Sequence, residues 1–274
     1  MRFGRFDLDL STPRIMGVLN VTPDSFSDGG QYLDPELALD RAWEMVEQGA
    51  DFIDIGGEST RPGAADVALE EELRRVVPLL KSLVPALPVP VSIDTSKPEV
   101  MRAACDLGVA LINDVRALRA PGALQVAASG EVAVCLMHMQ GEPRQMQENP
   151  CYTDVVSEVR DFLYERLQAC EAAGIARERV MLDPGFGFGK TLEHNLALLR
   201  HLADLLIEGR PLLIGVSRKS MIAKLLGDER SPARRIMGSV AAALWAVQQG
   251  AQVVRVHDVH ETRDALQILK AVKA

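Results

Sequence analysis

Eight short apolar runs alternate with longer amphipathic segments along this chain of 274 residues. The runs are rich in Val, Ile and Leu, which is typical of strands buried on both faces of a parallel sheet. In the segments between them, apolar residues recur every three or four positions, as in helices with one buried face. We therefore predict strands over residues 15–20, 52–55, 90–94, 110–113, 132–137, 180–183, 212–216 and 252–256. The predicted helices cover residues 35–48, 68–86, 97–107, 121–128, 153–173, 193–206, 232–249 and 260–272.

Eight strand–helix units in a chain of this length predict the α/β class and a single (β/α)8 TIM barrel, with one domain over residues 1–274. An open doubly wound sheet is the structural competitor, but no GxGxxG turn follows the first run. The polar stretch 138–152 is expected to be a long loop after the fifth strand. Ser96 is expected to cap a helix that has Pro98 in its first turn.

The composition limits the kind of partner this chain can have. Its formal net charge is −8 and no run of Lys or Arg stands out, which argues against nucleic-acid binding. No apolar run approaches the roughly 18 residues of a membrane helix, and residues 1–14 lack the apolar core of a secretory signal. The cysteines have neither CxxC nor zinc-finger spacing. We therefore expect reduced cysteines in a cytoplasmic protein without nucleic-acid or membrane partners.

Polar residues occupy the C-terminal ends of all eight predicted strands. In a barrel these ends meet at one face, where active sites are built. Single positions have simpler explanations, since Asp94 could cap a helix, Asn113 could be a turn residue and Asp183 could open a turn. Eight polar ends in register are better explained by one shared polar mouth. Its candidate members are Asn20, Asp54, residues 58–61, Asp94, Asn113, His138, Asp183, residues 217–219, Arg255 and His257.

The candidate mouth combines carboxylates and amides with cations. An Asp can accept two parallel hydrogen bonds from an amino-pyrimidinone edge, which suits a flat heterocycle, whereas Lys219 and Arg255 suit a phosphate or carboxylate. Arg255 and His257 lie on one side of an extended strand, which suits a phosphate clamp better than zinc. Asn20 and the hydroxyls near residue 60 could complete a Mg²⁺–diphosphate site. Apolar walls are expected from Ile15, Met137 and Phe188.

Two long polar motifs and four shorter ones carry a resemblance to a known family. The long motifs are Asn20-Val-Thr-Pro-Asp-Ser-Phe-Ser-Asp-Gly and Asp54-Ile-Gly-Gly-Glu-Ser-Thr-Arg-Pro-Gly. The shorter ones are Ser92-Ile-Asp-Thr, Leu182-Asp-Pro-Gly-Phe-Gly-Phe-Gly-Lys, Gly215-Val-Ser-Arg-Lys and Arg255-Val-His-Asp. From about residue 14 to its end, the chain resembles the bacterial dihydropteroate synthases, a pterin-binding family.

The resemblance implies a transferase of folate biosynthesis that joins 4-aminobenzoate to 6-hydroxymethyl-7,8-dihydropterin diphosphate and releases diphosphate. It also implies a homodimer, Mg²⁺ as cofactor and inhibition by sulfonamides. By motif position, the residues that would hold the pterin are Asp94, Asn113, Asp183 and Lys219, with Met137 in the pocket wall. Mg²⁺ would be bound by Asn20, and the diphosphate by Thr60, Arg255 and His257. The aminobenzoate pocket would be formed by Phe26, Arg61, Pro62, Phe188 and Ser217.

The mechanism that the resemblance implies is dissociative. Diphosphate leaves the pterin methylene, Asp94 stabilises the resulting cation, and Mg²⁺ with Arg255 stabilises the leaving group. We therefore expect Asp94, Lys219 and Arg255 to be catalytic, with no side-chain nucleophile.

Three rival functions remain open. Another pterin-binding barrel, such as a methyltetrahydrofolate:corrinoid methyltransferase, would not need the diphosphate residues. A Schiff-base aldolase would use Lys219 as its nucleophile. A non-catalytic paralogue would bind pterin only.

Overall fold

The computed structural model describes residues 1–21, 35–59, 66–142, 145–227 and 232–273. The chain begins with an antiparallel hairpin of β1 (Arg2–Phe3) and β2 (Phe6–Asp7), which was not predicted. Within the described residues, eight parallel strands then form one sheet. They are β3 (Arg14–Asn20), β4 (Phe52–Gly56), β5 (Val91–Asp94), β6 (Leu111–Asp114), β7 (Ala133–Met137), β8 (Val180–Asp183), β9 (Leu213–Ile214) and β10 (Val253–Val256).

The sheet closes on itself. Its strand order is β8-β7-β6-β5-β4-β3-β10-β9, and a parallel bridge joins Leu182 of β8 to Leu212, the residue before β9. There the Leu182 amide donates a hydrogen bond of 2.9 Å to the Pro211 carbonyl. The predicted (β/α)8 TIM barrel is therefore confirmed, and each predicted strand has its counterpart.

Helices follow the strands and cover the outside of the barrel. They are α1 (Pro35–Glu47), α2 (Leu69–Ala86), α3 (Pro98–Asp106), α4 (Ala123–Ala128), α5 (Val155–Ala172), α6 (Leu192–Arg200), α7 (Ser220–Leu226), α8 (Ile236–Gln248) and α9 (Val259–Lys273). The predicted helix 193–206 is α6 followed by the 3-10 turn Leu202–Leu205. Helix α7 was not predicted. No helix of the described part of the chain has the length and apolar character needed to cross a bilayer.

Alternation along the strands decides which side chains enter the barrel. In β3, Met16 faces inward and joins an interior apolar cluster with Phe52, whereas Ile15 belongs to the layer between barrel and helices. Phe3 of the hairpin reaches the same interior cluster and packs edge-on against Phe52, with ring centroids 4.8 Å apart. The prediction that Ile15 lines the mouth is therefore wrong, because successive strand residues point to opposite faces.

The start of α3 differs from the predicted capping. The helix begins at Pro98, as expected, but Lys97 occupies the capping position without a side-chain cap. The hydroxyl of Ser96 donates to the Asp114 carboxylate at the end of the neighbouring strand instead. The prediction of a Ser96 cap is wrong because this hydroxyl ties two strand ends together.

Candidate functional site

A buried ionic cluster lies at the barrel mouth, the face formed by the C-terminal ends of the strands. Arg255 of β10 donates from Nε to Asp54 Oδ2 at 2.6 Å and from Nη2 to Asp94 Oδ2 at 2.9 Å. Asn113 Nδ2 donates to the same Asp54 oxygen at 3.2 Å. Three of the predicted site residues thus meet: Asp54 joins Arg255 to Asn113, and Arg255 joins Asp54 to Asp94. Asp94 does not cap a helix and Asn113 is not a turn residue, since Asp94 ends β5 and Asn113 lies within β6, one residue before its end.

Asp54 is the site residue that sequence reasoning placed at a strand end without giving it a role. It is fully buried, and within the described residues its Oδ1 has no hydrogen-bond partner. Burying a carboxylate costs free energy unless it is paired, and the partner of the Asp54 carboxylate is the Arg255 guanidinium. The sequence feature that could have predicted this role is strand alternation: Phe52, Asp54 and Gly56 share one face of β4, so Asp54 points into the barrel.

Asp183 and Lys219 form the opposite side of the mouth. Asp183 ends β8, and its Oδ1 accepts a hydrogen bond of 2.8 Å from the Gly185 amide, so it also opens a turn as the sequence allowed. Lys219 precedes α7 and donates from Nζ to the Phe186 carbonyl. The same Nζ lies 4.6 Å from the centroid of the Phe188 ring.

Met137 and Phe188 lie in one apolar cluster beside this pair, together with Val115, Met139 and Met146. Met137 is also the direct neighbour of Asp183 in the register of β7 and β8. Two of the three predicted apolar walls therefore occur at the mouth, next to the predicted pterin-binding carboxylate.

Burial sets unusual proton affinities in the cluster. Desolvation raises the pKa of Asp94 from 3.8 to about 7, an effect that Arg255 opposes and Asp54 reinforces. Burial likewise raises the pKa of Asp183, against the influence of Lys219. Burial lowers the pKa of Lys219 to about 8. Desolvation disfavours the charge of Arg255, yet the carboxylates of Asp54 and Asp94 raise its pKa overall. A carboxyl and an amine that both titrate near neutral pH are typical of catalytic sites.

Ser217 and His257 meet between the ends of β9 and β10. The His257 amide donates to Ser217 Oγ at 3.1 Å, and His257 Nδ1 lies 3.1 Å from the same oxygen. Between Ser217 and Lys219, Arg218 has a left-handed backbone, with φ at 57°. Its amide donates to Ser239 Oγ at 2.8 Å and its guanidinium pairs with Asp258. These contacts fix a strained turn next to two predicted site residues.

Asn20 lies beside the ionic cluster and fits a hydrated cation. Strand register aligns it with Gly56, Asp94 and Asn113 across four neighbouring strands. A Cβ atom at Gly56 would lie 3.3 Å from Asn20 Oδ1 and 3.9 Å from Asp94 Oδ2, so the glycine keeps the space between them open. The described residues contain no cluster of three His, Cys, Asp or Glu side chains able to hold a metal. An amide oxygen suits Mg²⁺, which keeps waters and phosphate oxygens as further ligands.

The remaining predicted site residues lie outside the described residues. They are Phe26, Thr60, Arg61 and Pro62. Their predicted roles toward diphosphate and aminobenzoate stay predictions.

Comparison with known proteins assigns the chain to a family. Residues 16–257 match the family model described as pterin binding enzyme. The dihydropteroate synthase of Escherichia coli K12 is 53% identical over 264 residues, which cover 96% of this chain and 93% of that protein. The structure of the Yersinia pestis dihydropteroate synthase with a sulfonamide drug complex superposes with a TM-score of 0.95 at 50% identity, covering 100% of this chain and 98% of that one. The Xanthomonas albilineans dihydropteroate synthase in complex with 7,8-dihydropteroate gives a TM-score of 0.88 at 50% identity, covering 97% and 96%. This chain therefore belongs to the dihydropteroate synthase family of pterin-binding enzymes.

Proposed function

We propose that this chain is a dihydropteroate synthase. It is a transferase of folate biosynthesis that joins 4-aminobenzoate to 6-hydroxymethyl-7,8-dihydropterin diphosphate and releases diphosphate. The observation that carries the proposal is the buried cluster of Asp54, Asp94, Asn113 and Arg255 at the mouth, with Asp183 and Lys219 facing it. Its carboxylates and amide suit the hydrogen-bonding edge of a pterin, and its cations suit a diphosphate.

The pterin would lie against Asp183, Asn113 and Lys219. Asp183 and Asn113 are 6% and 4% exposed, so hydrogen bonds from them to the amino-pyrimidinone edge would be shielded from water. Lys219 would reach the ring carbonyl and N5 side. Met137, which neighbours Asp183 in register, supplies an apolar surface for the ring.

Asp94 and Arg255 would act on the reacting centre. When the diphosphate leaves, positive charge spreads from the methylene into the pterin ring, and ionised Asp94 stabilises it. Arg255 is held at two nitrogens by Asp54 and Asp94, so its orientation toward the leaving diphosphate is fixed before the reaction. His257 and Thr60 would bind the diphosphate with it.

The aminobenzoate would approach along Phe188, Ser217 and Lys219. Phe26, Arg61 and Pro62, from the two long polar motifs, would complete that pocket. The amine nitrogen would then attack the methylene cation directly and lose one N–H proton, so no protein nucleophile is needed. Exclusion of water from the site would preserve the cation until that attack.

Further expectations belong to the same proposal. The cofactor would be Mg²⁺ held by Asn20, and it would supply positive charge to the diphosphate oxygens. Exposed apolar side chains, Leu225 and Leu226 on α7 and Met237 on α8, support a homodimer. Four free cysteines support a cytoplasmic location. Sulfonamides would inhibit, as the drug complex of the Yersinia pestis relative suggests.

Purified protein tests the proposal directly. With both substrates and Mg²⁺ it should form dihydropteroate and diphosphate in equal amounts. Asp183→Ala should abolish pterin affinity in calorimetry, because the buried ring N–H groups lose their acceptor. Pterin binding without turnover would favour a non-catalytic paralogue, methyl transfer to a corrinoid would favour the methyltransferase, and borohydride trapping of substrate on Lys219 would favour an aldolase.

A further inference from the structure

Lys190 is the last residue of the glycine-rich motif after β8, and the proposed function gives it no role. It is 3% exposed. Its Nζ donates to the carbonyl oxygens of Gly185 at 2.9 Å and Phe188 at 3.0 Å, and it lies 2.9 Å from His138 Nδ1, with a longer contact of 3.4 Å to the His138 carbonyl. Burying an amine costs free energy of desolvation, so a buried lysine with four such contacts indicates a structural or functional role.

Both protonation states of this amine satisfy the contacts. Burial lowers the pKa of Lys190, and it also lowers the pKa of His138 to about 2, which keeps that imidazole neutral. An ammonium group would donate to both carbonyls and to His138 Nδ1. A neutral amine would donate to the same carbonyls and accept from the N–H of the neutral His138 tautomer that carries its hydrogen on Nδ1. In either state the two carbonyls are held.

The segment that Lys190 holds is a tight turn. The Phe188 amide donates to the Gly185 carbonyl at 3.1 Å, and Lys190 donates to that same carbonyl. Gly185 has φ at 70°, and a Cβ atom there would lie 1.9 Å from the His138 carbonyl oxygen. The turn is therefore pressed against the backbone that follows β7, and only glycine fits the contact.

The other side of the turn faces the mouth. Lys219 donates to the Phe186 carbonyl and lies 4.6 Å from the Phe188 ring. The segment 185–188 is thus gripped by two amines, one buried behind it and one in the site. Asn195 and Gln147 also contact the turn at Gly187, whereas Lys190 holds the carbonyls on either side of it, at Gly185 and Phe188.

We propose that Lys190 is a positioning residue that fixes Phe186 and Phe188 against Lys219 and thereby shapes the pocket for the second substrate, 4-aminobenzoate. This inference rests on the proposed function. Lys190 acts through the turn and touches neither substrate.

Pterin binding should depend much less on Lys190. Asp183 belongs to β8, and its backbone carbonyl accepts from the His138 amide at 2.9 Å as part of the pairing with β7. The barrel sets its backbone, and its Oδ1 accepts from the Gly185 amide at the start of the turn, ahead of the carbonyls that Lys190 holds. The inference therefore predicts a split between the two substrates.

The experiment compares two substitutions of different donor capacity. Lys190→Met keeps the length of the side chain without any N–H group, and it should raise the aminobenzoate KM about tenfold, or about 1.4 kcal/mol. Lys190→Gln retains two N–H groups and should fall between wild type and Met. The dissociation constant of the pterin diphosphate should change less than about twofold in both. Tyr152→Phe is the matched control, since it removes only the 2.8 Å hydrogen bond from Tyr152 to the neighbouring Gly189 carbonyl; its KM should stay at the wild-type value.

A double-mutant cycle with Phe188→Leu separates positioning from general destabilisation. If Lys190 acts through Phe188, Lys190→Met should add less than about twofold to the aminobenzoate KM in the Phe188→Leu background. Fully additive increases, an unchanged KM in Lys190→Met, or an equal loss of pterin affinity would overturn the inference. If Lys190→Met does not fold, Lys190→Gln carries the same cycle. An inactive wild-type enzyme would instead overturn the proposed function together with this inference.

Discussion

As the pH rises, the Asp94→Asn variant should become increasingly more stable than the wild-type protein, because only the wild type loses stability. The substitution should also abolish function. Asp94 is 7% exposed at the mouth, and desolvation raises its pKa from 3.8 to about 7, although Arg255 opposes this and Asp54 adds to it. Between these two values the folded protein keeps a proton that the unfolded chain has released. The contribution of Asp94 to stability is therefore complete below about pH 4 and is lost as the pH rises to about 7.

The size of this loss follows from the two proton affinities. A difference between 3.8 and about 7 corresponds to about 4 kcal/mol at about 1.36 kcal/mol per tenfold change in affinity. Asn has a similar shape and cannot ionise, so the variant lacks this decline. Its free energy of unfolding relative to wild type should increase by about 4 kcal/mol between pH 4 and pH 8.

Urea unfolding followed by circular dichroism across this pH range measures the difference. Asp161→Asn is the control, because Asp161 is 73% exposed, and its stability should follow the wild-type curve. If the curves of Asp94→Asn and wild type run parallel within about 1 kcal/mol, Asp94 ionises at its ordinary pKa in the folded protein. The proposed electrostatic balance with Arg255 would then be wrong.

Three further perturbations address other parts of the site. Asp54→Asn removes the charge that pairs with Arg255 at 2.6 Å, and it should lower kcat/KM about tenfold to a hundredfold, as expected for a charge-assisted hydrogen bond; wild-type kinetics would contradict this. Burial lowers the pKa of Lys219 to about 8, so kcat/KM should fall above about pH 8 if the ammonium form is active. A pH profile that stays flat up to the pKa of an exposed lysine would contradict this role of Lys219. Gly185→Ala should lower the free energy of unfolding, measured by heat or urea, by at least about 3 kcal/mol, because its Cβ would lie 1.9 Å from a carbonyl oxygen. Gly174→Ala, with φ at 88° and no atom within 4 Å of the added Cβ, should lower it by only about 1 kcal/mol. Equal losses would mean that the turn at Gly185 relaxes.

The barrel could be predicted because its signals are local. Each strand is a short apolar run, and the convergence of parallel strand ends places Asp94, Asn113 and Arg255 together without knowledge of any contact. Helix α7, Ser220–Leu226, was not predicted, although the shorter helix α4, Ala123–Ala128, was. It starts directly after Ser217, Arg218 and Lys219, which were assigned from the sequence to the polar mouth at a strand end.

The pairings within the site could not be predicted. Asp54 and Arg255 are separated by 201 positions in the sequence, and their contact exists only because β4 and β10 flank β3 in the barrel. Ile15 was assigned to the mouth because composition does not say which strand face is inside. Ser96 was assigned to a cap because its alternative partner, Asp114, lies on another strand. Long-range geometry decided all of these.

A crystal structure with the pterin diphosphate bound tests the central claim most directly. We predict the amino-pyrimidinone edge within about 3 Å of Asp183 and Asn113, and the diphosphate on Arg255. A pterin bound away from the barrel mouth, or with its diphosphate facing Asp183, would contradict the account.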